Sequence, residues 1–146
     1  MTVAFRNVDV DPGAPVGQWP YEAIVTSIER GTIGDWAMLT RAISTDPWGP
    51  VARQVEEFLS YERPYGVATL LERAIDRARR AAQDHERATV AREVAELIER
   101  SGLTLGACAE RLGTSASRLS TYRSGKVMPA AGLLVRLREL VDRLAP

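Results

Sequence analysis

The side chains best suited to covalent or metal chemistry are sparse in this sequence. Cysteine occurs once, at Cys108, and histidine once, at His85. A single thiol forms no intramolecular disulfide, and one thiol with one imidazole is too few soft ligands for a structural zinc site. Cys108 lies four residues before Leu112, on one helical face and without a nearby base, so it reads as a small core residue rather than a nucleophile. His85 reads as a packing or solvated residue. The sequence contains no nucleophile–base pair, no phosphate-binding glycine loop and no paired carboxylates placed for acid–base work. An enzyme is therefore not expected, and neither a cofactor nor a metal is expected.

What remains is the chemistry of fixed positive charge. The 146-residue chain has a formal net charge of zero, but the charge is unevenly placed. Residues 1–88 hold ten Lys/Arg against thirteen Asp/Glu, net −3, whereas residues 89–146 hold nine against six, net +3. Between 102 and 138 six cations, Arg111, Arg118, Arg123, Lys126, Arg136 and Arg138, face one acid, Glu110. A phosphate backbone responds to the local surface within a screening length of about 8 Å, not to the average over the chain. Arg118, Arg123 and Lys126 are interleaved with Ser115, Ala116, Ser117 and Thr121, which are small or polar. Cations and helix amides can hold phosphates while short side chains approach base edges in a major groove. These seven residues are the candidate DNA-binding set.

Two short helices are needed to present them, and residues 103–129 carry the punctuation for both. Leu103 enters as an apolar staple, and Thr104 can cap a helix through Ala107, Cys108, Arg111 and Leu112. Gly113 supplies a corner and Ser115 caps the next helix, which buries Leu119 and Tyr122 on one face. Ser124-Gly125-Lys126 ends it. Pro129 is expected to open a last helix whose Leu133, Leu134, Leu137, Leu140, Val141 and Leu144 close the core.

With those residues in place, the stretch LTLGACAERLGTSASRLSTYRSGKVMPAAGLLVRL resembles the helix-turn-helix of the Cro/CI repressor superfamily, also called the xenobiotic-response-element type. The likeness rests on Leu-Thr, on Ala109 at the packed position of the first helix, on Leu-Gly at the corner, on Ser-x-Ser in the second helix and on Gly-Lys-x-x-Pro at the exit. It covers about residues 90–144. The resemblance implies that Ala116, Ser117 and Thr121 face bases and that Arg118, Arg123 and Lys126 lie near backbone. Two features depart from the pattern. Leu105 and Gly106 stand where Gln and Glu are common, which removes a phosphate contact and weakens the first helix. Ala116 replaces a frequent Gln, so readout leans toward apolar contact with thymine methyls.

The rest of the chain reads as helical. Residues 1–18 have scattered Asp, Pro and Gly with no apolar period and are expected to be a flexible arm, either a loose tail or a contact for a partner. Seven of the nine aromatics fall between Trp19 and Tyr65. Punctuation there predicts three helices: Pro20 to Gly31, Gly34-Asp35 to Asp46-Pro47, and Pro50 to just before Pro64. The second carries Trp36, Leu39, Ala42 and Ile43 on one face, and the third Val51, Val55, Phe58 and Leu59. Tryptophans 19, 36 and 48 are read as packing or interface residues, the competing reading being a ligand pocket. Residues 65–101 form one long helix, or two joined near Gln83-Asp84-His85. The stripe Val67, Leu71, Ala74, Ala78, Ala81, His85, Ala88 suits either a dimer seam or packing on the N-terminal bundle. Arg77, Arg79, Arg80, Asp84 and Glu86 read as a solvated face with local ion pairs.

The expected fold class is thus all-α, with an N-terminal small helical bundle, a long connecting helix and a C-terminal lambda-repressor-like helix-turn-helix domain. The expected domains are a flexible arm at 1–18, a helical bundle for partner binding or dimerisation at 19–88, and a DNA-binding domain at 89–146. No apolar run reaches the roughly 20 residues that span a bilayer, and the N-terminus lacks the pattern of a secretory signal, so the expected location is cytoplasmic with no membrane partner. The leading function is a sequence-specific DNA-binding transcriptional regulator, an autorepressor or an antitoxin-like repressor. Its expected partners are double-stranded DNA, a second copy in a homodimer and a cognate toxin protein. The alternative is a protein–protein adaptor, or a toxin-neutralising antitoxin, whose helix-turn-helix makes little contact with DNA.

Overall fold

The computed structural model describes residues 13–146, which form seven α-helices and no strand. The chain is all-α. It divides into two compact units, one ending at Ala82 and the other running from Gln83 to Pro146. This division falls within a helix, six residues before the expected boundary at 88/89. No helix of the described residues is long and apolar enough to cross a membrane.

In the first unit, a 3-10 turn at Val16–Gln18 leads into α1 (Tyr21–Arg30), α2 (Ile33–Thr45) and α3 (Pro50–Tyr61). Of the arm expected at 1–18, residues 1–12 lie outside the described part. Residues 13–18 are not a loose arm. The Trp19 indole N–H donates to the Ala14 carbonyl at 2.9 Å, and Ala14 and Val16 pack against the core. Aspartate, proline and glycine concealed this segment because its tie is made by an indole five residues away.

Helix α1 ends at Gly31, which turns to extended backbone at a place only glycine can occupy, since a Cβ there would lie 1.9 Å from the Ser27 carbonyl oxygen. Thr32 then caps α2 in a reciprocal box with Asp35. The Thr32 N–H donates to Asp35 Oδ2 at 2.9 Å, and the Asp35 N–H donates to Thr32 Oγ1 at 3.4 Å. The box satisfies amides that the helix itself leaves open, and it accounts for a carboxylate that is only 2% exposed. Helix α2 gives way at Asp46, just before Pro47, and Pro50 occupies the first turn of α3. Around these helices Trp19, Ile24, Ile28, Leu39, Ile43, Val55 and Leu71 make one apolar core. Trp36 is half-buried, with its indole N–H shared between the Ser27 and Ile28 carbonyls. Trp48 is exposed, with the Arg79 guanidinium 5.8 Å from its ring centre.

Residues 65–101 resolve into one helix, α4 (Val67–Ser101). Its residues Val67, Leu71, Ile75 and Ala78 are buried in the first unit's core. The stripe does not continue in this way, because Ala81, His85 and Ala88 are exposed. The charged run also differs from a plain solvated face. Arg80 and Arg87 make loose local pairs with Asp76 and Asp84, but Arg79 bridges to Glu56 at 2.6 Å and donates to the Pro47 carbonyl.

The second unit packs α4 from residue 83 onward with α5 (Leu105–Leu112), α6 (Ala116–Ser124) and α7 (Ala131–Leu144). Val94, Ile98, Cys108, Ala109, Leu112, Leu119, Leu137 and Val141 belong to its core. Two expectations for the last helix need correcting. It begins at Ala131 rather than at Pro129, and Leu144 is exposed at its final turn, beyond the reach of the core.

Candidate nucleic-acid interface

The candidate residues are held by two helices whose ends are fixed by side chains. Thr104 caps α5, its Oγ1 accepting from the Ala107 N–H at 3.2 Å. Helix α5 ends at Gly113, which adopts φ +74°, a left-handed conformation costly for any residue with a Cβ. The reversal lets the Gly113 and Thr114 amides close onto the carbonyls of Glu110 and Ala109, at 3.2 and 3.0 Å. Two residues later Ser115 caps α6, its Oγ accepting from the Arg118 N–H at 3.1 Å. The same device ends α6. Gly125 sits at φ +82°, and the Lys126 amide closes onto the Thr121 carbonyl at 3.0 Å.

Helix α6 is anchored by one fully buried side chain, Leu119, with Tyr122 half-buried beside it. A Cβ on Gly125 would meet the Ala91 methyl at 3.4 Å, so the end of α6 lies close against α4 within this unit. The exposed remainder carries the predicted residues. Ser115, Ala116, Ser117, Arg118, Arg123 and Lys126 are all exposed, while Thr121 is half-buried. The structure therefore brings all seven onto one short helix and its two flanks. Their hydroxyls are unequal. Thr121 Oγ1 donates to the Arg118 carbonyl at 2.6 Å, and Ser124 Oγ donates to the Thr121 carbonyl at 3.1 Å.

The electrostatics separate the six cations counted in the sequence. Arg138 is engaged, its Nε donating to Glu93 Oε1 at 2.6 Å. That guanidinium holds the Glu93 carboxyl below the usual glutamate range, and the carboxylate in turn raises Arg138. Arg111, Arg118, Arg123, Lys126 and Arg136 are exposed and make no ion pair with any described residue. The Glu93–Arg138 pair spans 45 positions and left no local signal in the sequence. Arg111 and Arg136 were visible in the charge count, and their freedom from neighbouring carboxylates is added by the fold.

Cys108 has no exposed surface, and burial pushes its thiol upward, against a smaller opposing effect from the Ser101 hydroxyl. A thiol in that state is a core group and a poor nucleophile. Among the described residues, no group of three or more His, Cys, Asp and Glu side chains is placed to hold a metal ion.

Comparison of the chain with protein-family models, with curated proteins and with solved structures found no match in any of the three. The resemblance of residues 90–144 to the Cro/CI type thus rests on the sequence alone, on Leu-Thr, Ala109, Leu-Gly, Ser-x-Ser and the Gly-Lys-x-x-Pro exit.

Proposed function

We propose that this protein is a sequence-specific regulator that binds double-stranded DNA through α6, with a Cro/CI-like helix-turn-helix formed by α5 and α6. The observation that carries the reading is the outward side of α6 and its exit. Arg118, Arg123 and Lys126 are exposed there and have no carboxylate partner among the described residues, on the same short segment as the small side chains of Ala116 and Ser117. The core does not require these exposed cations, which leaves them free to meet an anion. A duplex supplies that anion in a regular array, and the short side chains let the helix approach base edges.

The regulator reading includes action as an autorepressor or an antitoxin-like repressor, as a homodimer, in the cytoplasm where DNA is accessible. Its direct test is a gel-shift titration of the full chain with the duplex lying upstream of its own coding sequence and with an unrelated duplex of equal length. Preferential shift of the first supports autorepression, and equal or absent shift of both overturns it.

One observation favours a protein partner as well. On the first unit Tyr61 is 77% exposed, Tyr65 is fully exposed and Leu70 is exposed nearby in sequence. Exposed tyrosines are common anchors in interfaces. A cognate toxin or a second copy of the chain would use such a surface. Light-scattering mass measurement of the full chain and of Tyr61→Ala/Tyr65→Ala checks self-association, and an unchanged dimer mass in the variant would remove these tyrosines from the dimer contact.

A further inference from the structure

We infer that the first unit carries a binding site for a free α-amino acid with an apolar side chain, in the pocket between residues 13–17 and one face of α2. The inference stands apart from the DNA reading and does not depend on it.

The pocket follows from the way the segment before α1 is held. The Trp19 indole ties down the Ala14 carbonyl at 2.9 Å, and Ala14 and Val16 pack against the first unit's core. Residues 13–17 thus lie beside α2 and the start of α3 without filling the space between them, and a pocket of about 510 Å³ remains. That volume falls within the range of about 300–1,000 Å³ usual for small-molecule sites. Helix α2 contributes Met38, Arg41, Ala42 and Thr45, the i, i+3, i+4 and i+7 positions of a single face. None of the three tryptophans lines this pocket, so it is not the tryptophan site weighed from the sequence.

Most of the lining is hydrocarbon. Ala14, Val16, Met38, Ala42, Pro50 and Val51 offer a surface for an aliphatic or aromatic side chain. Two charges of opposite sign interrupt it, Arg41 and Asp46. Both are exposed, and neither makes an ion pair with any described residue. They stand five residues apart, about 7.5 Å along a helix axis at 1.5 Å per residue. The ammonium and carboxylate of one amino acid, with a hydrogen bond of about 2.9 Å at each end, bridge a gap of that order.

The pair of charges selects the ligand class. A fatty or aromatic acid would suit Arg41 but bring a second negative charge toward Asp46. A simple amine would suit Asp46 and bring a second positive charge toward Arg41. A zwitterion answers both, its carboxylate on the Arg41 guanidinium in charge-assisted hydrogen bonds and its ammonium on Asp46. The apolar lining then takes the side chain, which excludes glycine and polar amino acids.

The test is a titration of the isotope-labelled full chain, followed by its amide chemical shifts, with L-leucine and L-phenylalanine. Parallel titrations use 3-phenylpropionate, which lacks the amine, 2-phenylethylamine, which lacks the carboxylate, and glycine, which lacks the hydrocarbon. The amino acids are expected to bind with a dissociation constant of about 1 mM or tighter, moving the amides of residues 13–17, of α2 and of the start of α3. Each of the three analogues should bind at least about tenfold more weakly, and Arg41→Ala and Asp46→Asn should each weaken phenylalanine by about tenfold, as expected for loss of a hydrogen bond to a charged group. Both substitutions are at exposed positions, and a circular dichroism spectrum matching the parent shows that each variant is folded.

No shift with either amino acid at about 10 mM overturns the inference. Shifts confined to other residues, or affinities indifferent to both substitutions, overturn the assignment of the pocket. Equal binding of 3-phenylpropionate and phenylalanine overturns zwitterion recognition in favour of a plain carboxylate site. None of these outcomes bears on DNA binding, which the gel-shift titration tests separately.

Discussion

Replacing Gly113 and Gly106 with alanine is expected to move stability in opposite directions, although both glycines belong to the same short helix and its end. Gly113 holds the corner at φ +74°, and a Cβ built there meets nothing within 4 Å. Sterics against neighbours therefore contribute nothing, and only the backbone conformation matters. Alanine in the left-handed region costs about 1–2 kcal/mol. Gly106 lies in the first turn of α5 on ordinary helical backbone, again with open space around its missing Cβ. Alanine there lowers the entropy of the unfolded chain and favours the helix, for a gain of roughly 0.5 kcal/mol so close to the helix end. With a urea slope of about 2 kcal/mol per molar, Gly113→Ala should lower the midpoint by about 0.5–1 M and Gly106→Ala should raise it by about 0.25 M. Urea titrations of the full chain followed by far-ultraviolet circular dichroism measure both. A neutral or stabilising Gly113→Ala, or shifts of the same sign in the two variants, would refute the account of the corner.

Three further outcomes are expected. Ser27→Ala should stabilise the first unit by up to about 1 kcal/mol, because Ser27 Oγ is fully buried with no hydrogen-bond partner among the described residues; a lowered urea midpoint would contradict this. Ser115→Ala should cost about 1 kcal/mol through loss of the α6 cap, and an unchanged midpoint would show that the cap contributes nothing. Arg138 depresses the folded-state Glu93 carboxyl, so the pair's contribution is present above the unfolded glutamate value of 4.5 and is lost as pH falls through the folded value. The stability gap between the parent and Glu93→Gln, taken from urea midpoints at several pH values, should therefore be steady near neutrality and shrink below about pH 4.5. A gap that widens in acid would reverse the assignment.

The parts of the fold that were legible in the sequence are those set by neighbouring residues. Pro20, Pro50, Thr104, Gly113 and Ser115 act within one turn of their own positions, and α1, α3, α5 and α6 begin or end beside them. The apolar stripe of α3 was readable for the same reason, and Val51, Val55, Phe58 and Leu59 are all buried. What escaped was set at a distance. The packing of residues 13–18 depends on the Trp19 indole, and the place of Arg79 depends on Glu56, Trp48 and the Pro47 carbonyl. Likewise the removal of Arg138 from the free cations depends on Glu93. The capping box of α2 is a different case. Thr32 and Asp35 stand at the diagnostic spacing, but Gly34-Asp35 is itself a start signal and masks the cap two residues earlier. In the candidate interface the identity of all seven residues came from their types and order. The turning of the Thr121 and Ser124 hydroxyls onto the backbone, by contrast, is visible only in three dimensions.

The central claim is that the unpaired cations of α6 and its exit meet phosphate. Anisotropy titration of a labelled duplex with the full chain, over a series of salt concentrations, tests it most directly when repeated with Arg118→Ala/Lys126→Ala. The account predicts a linear fall of log affinity with log salt, and a slope about 1.8 smaller in magnitude for the double variant, because each phosphate left without its cation lowers the slope by about 0.9. No binding to duplex at low salt, or the same slope for both proteins, would contradict it.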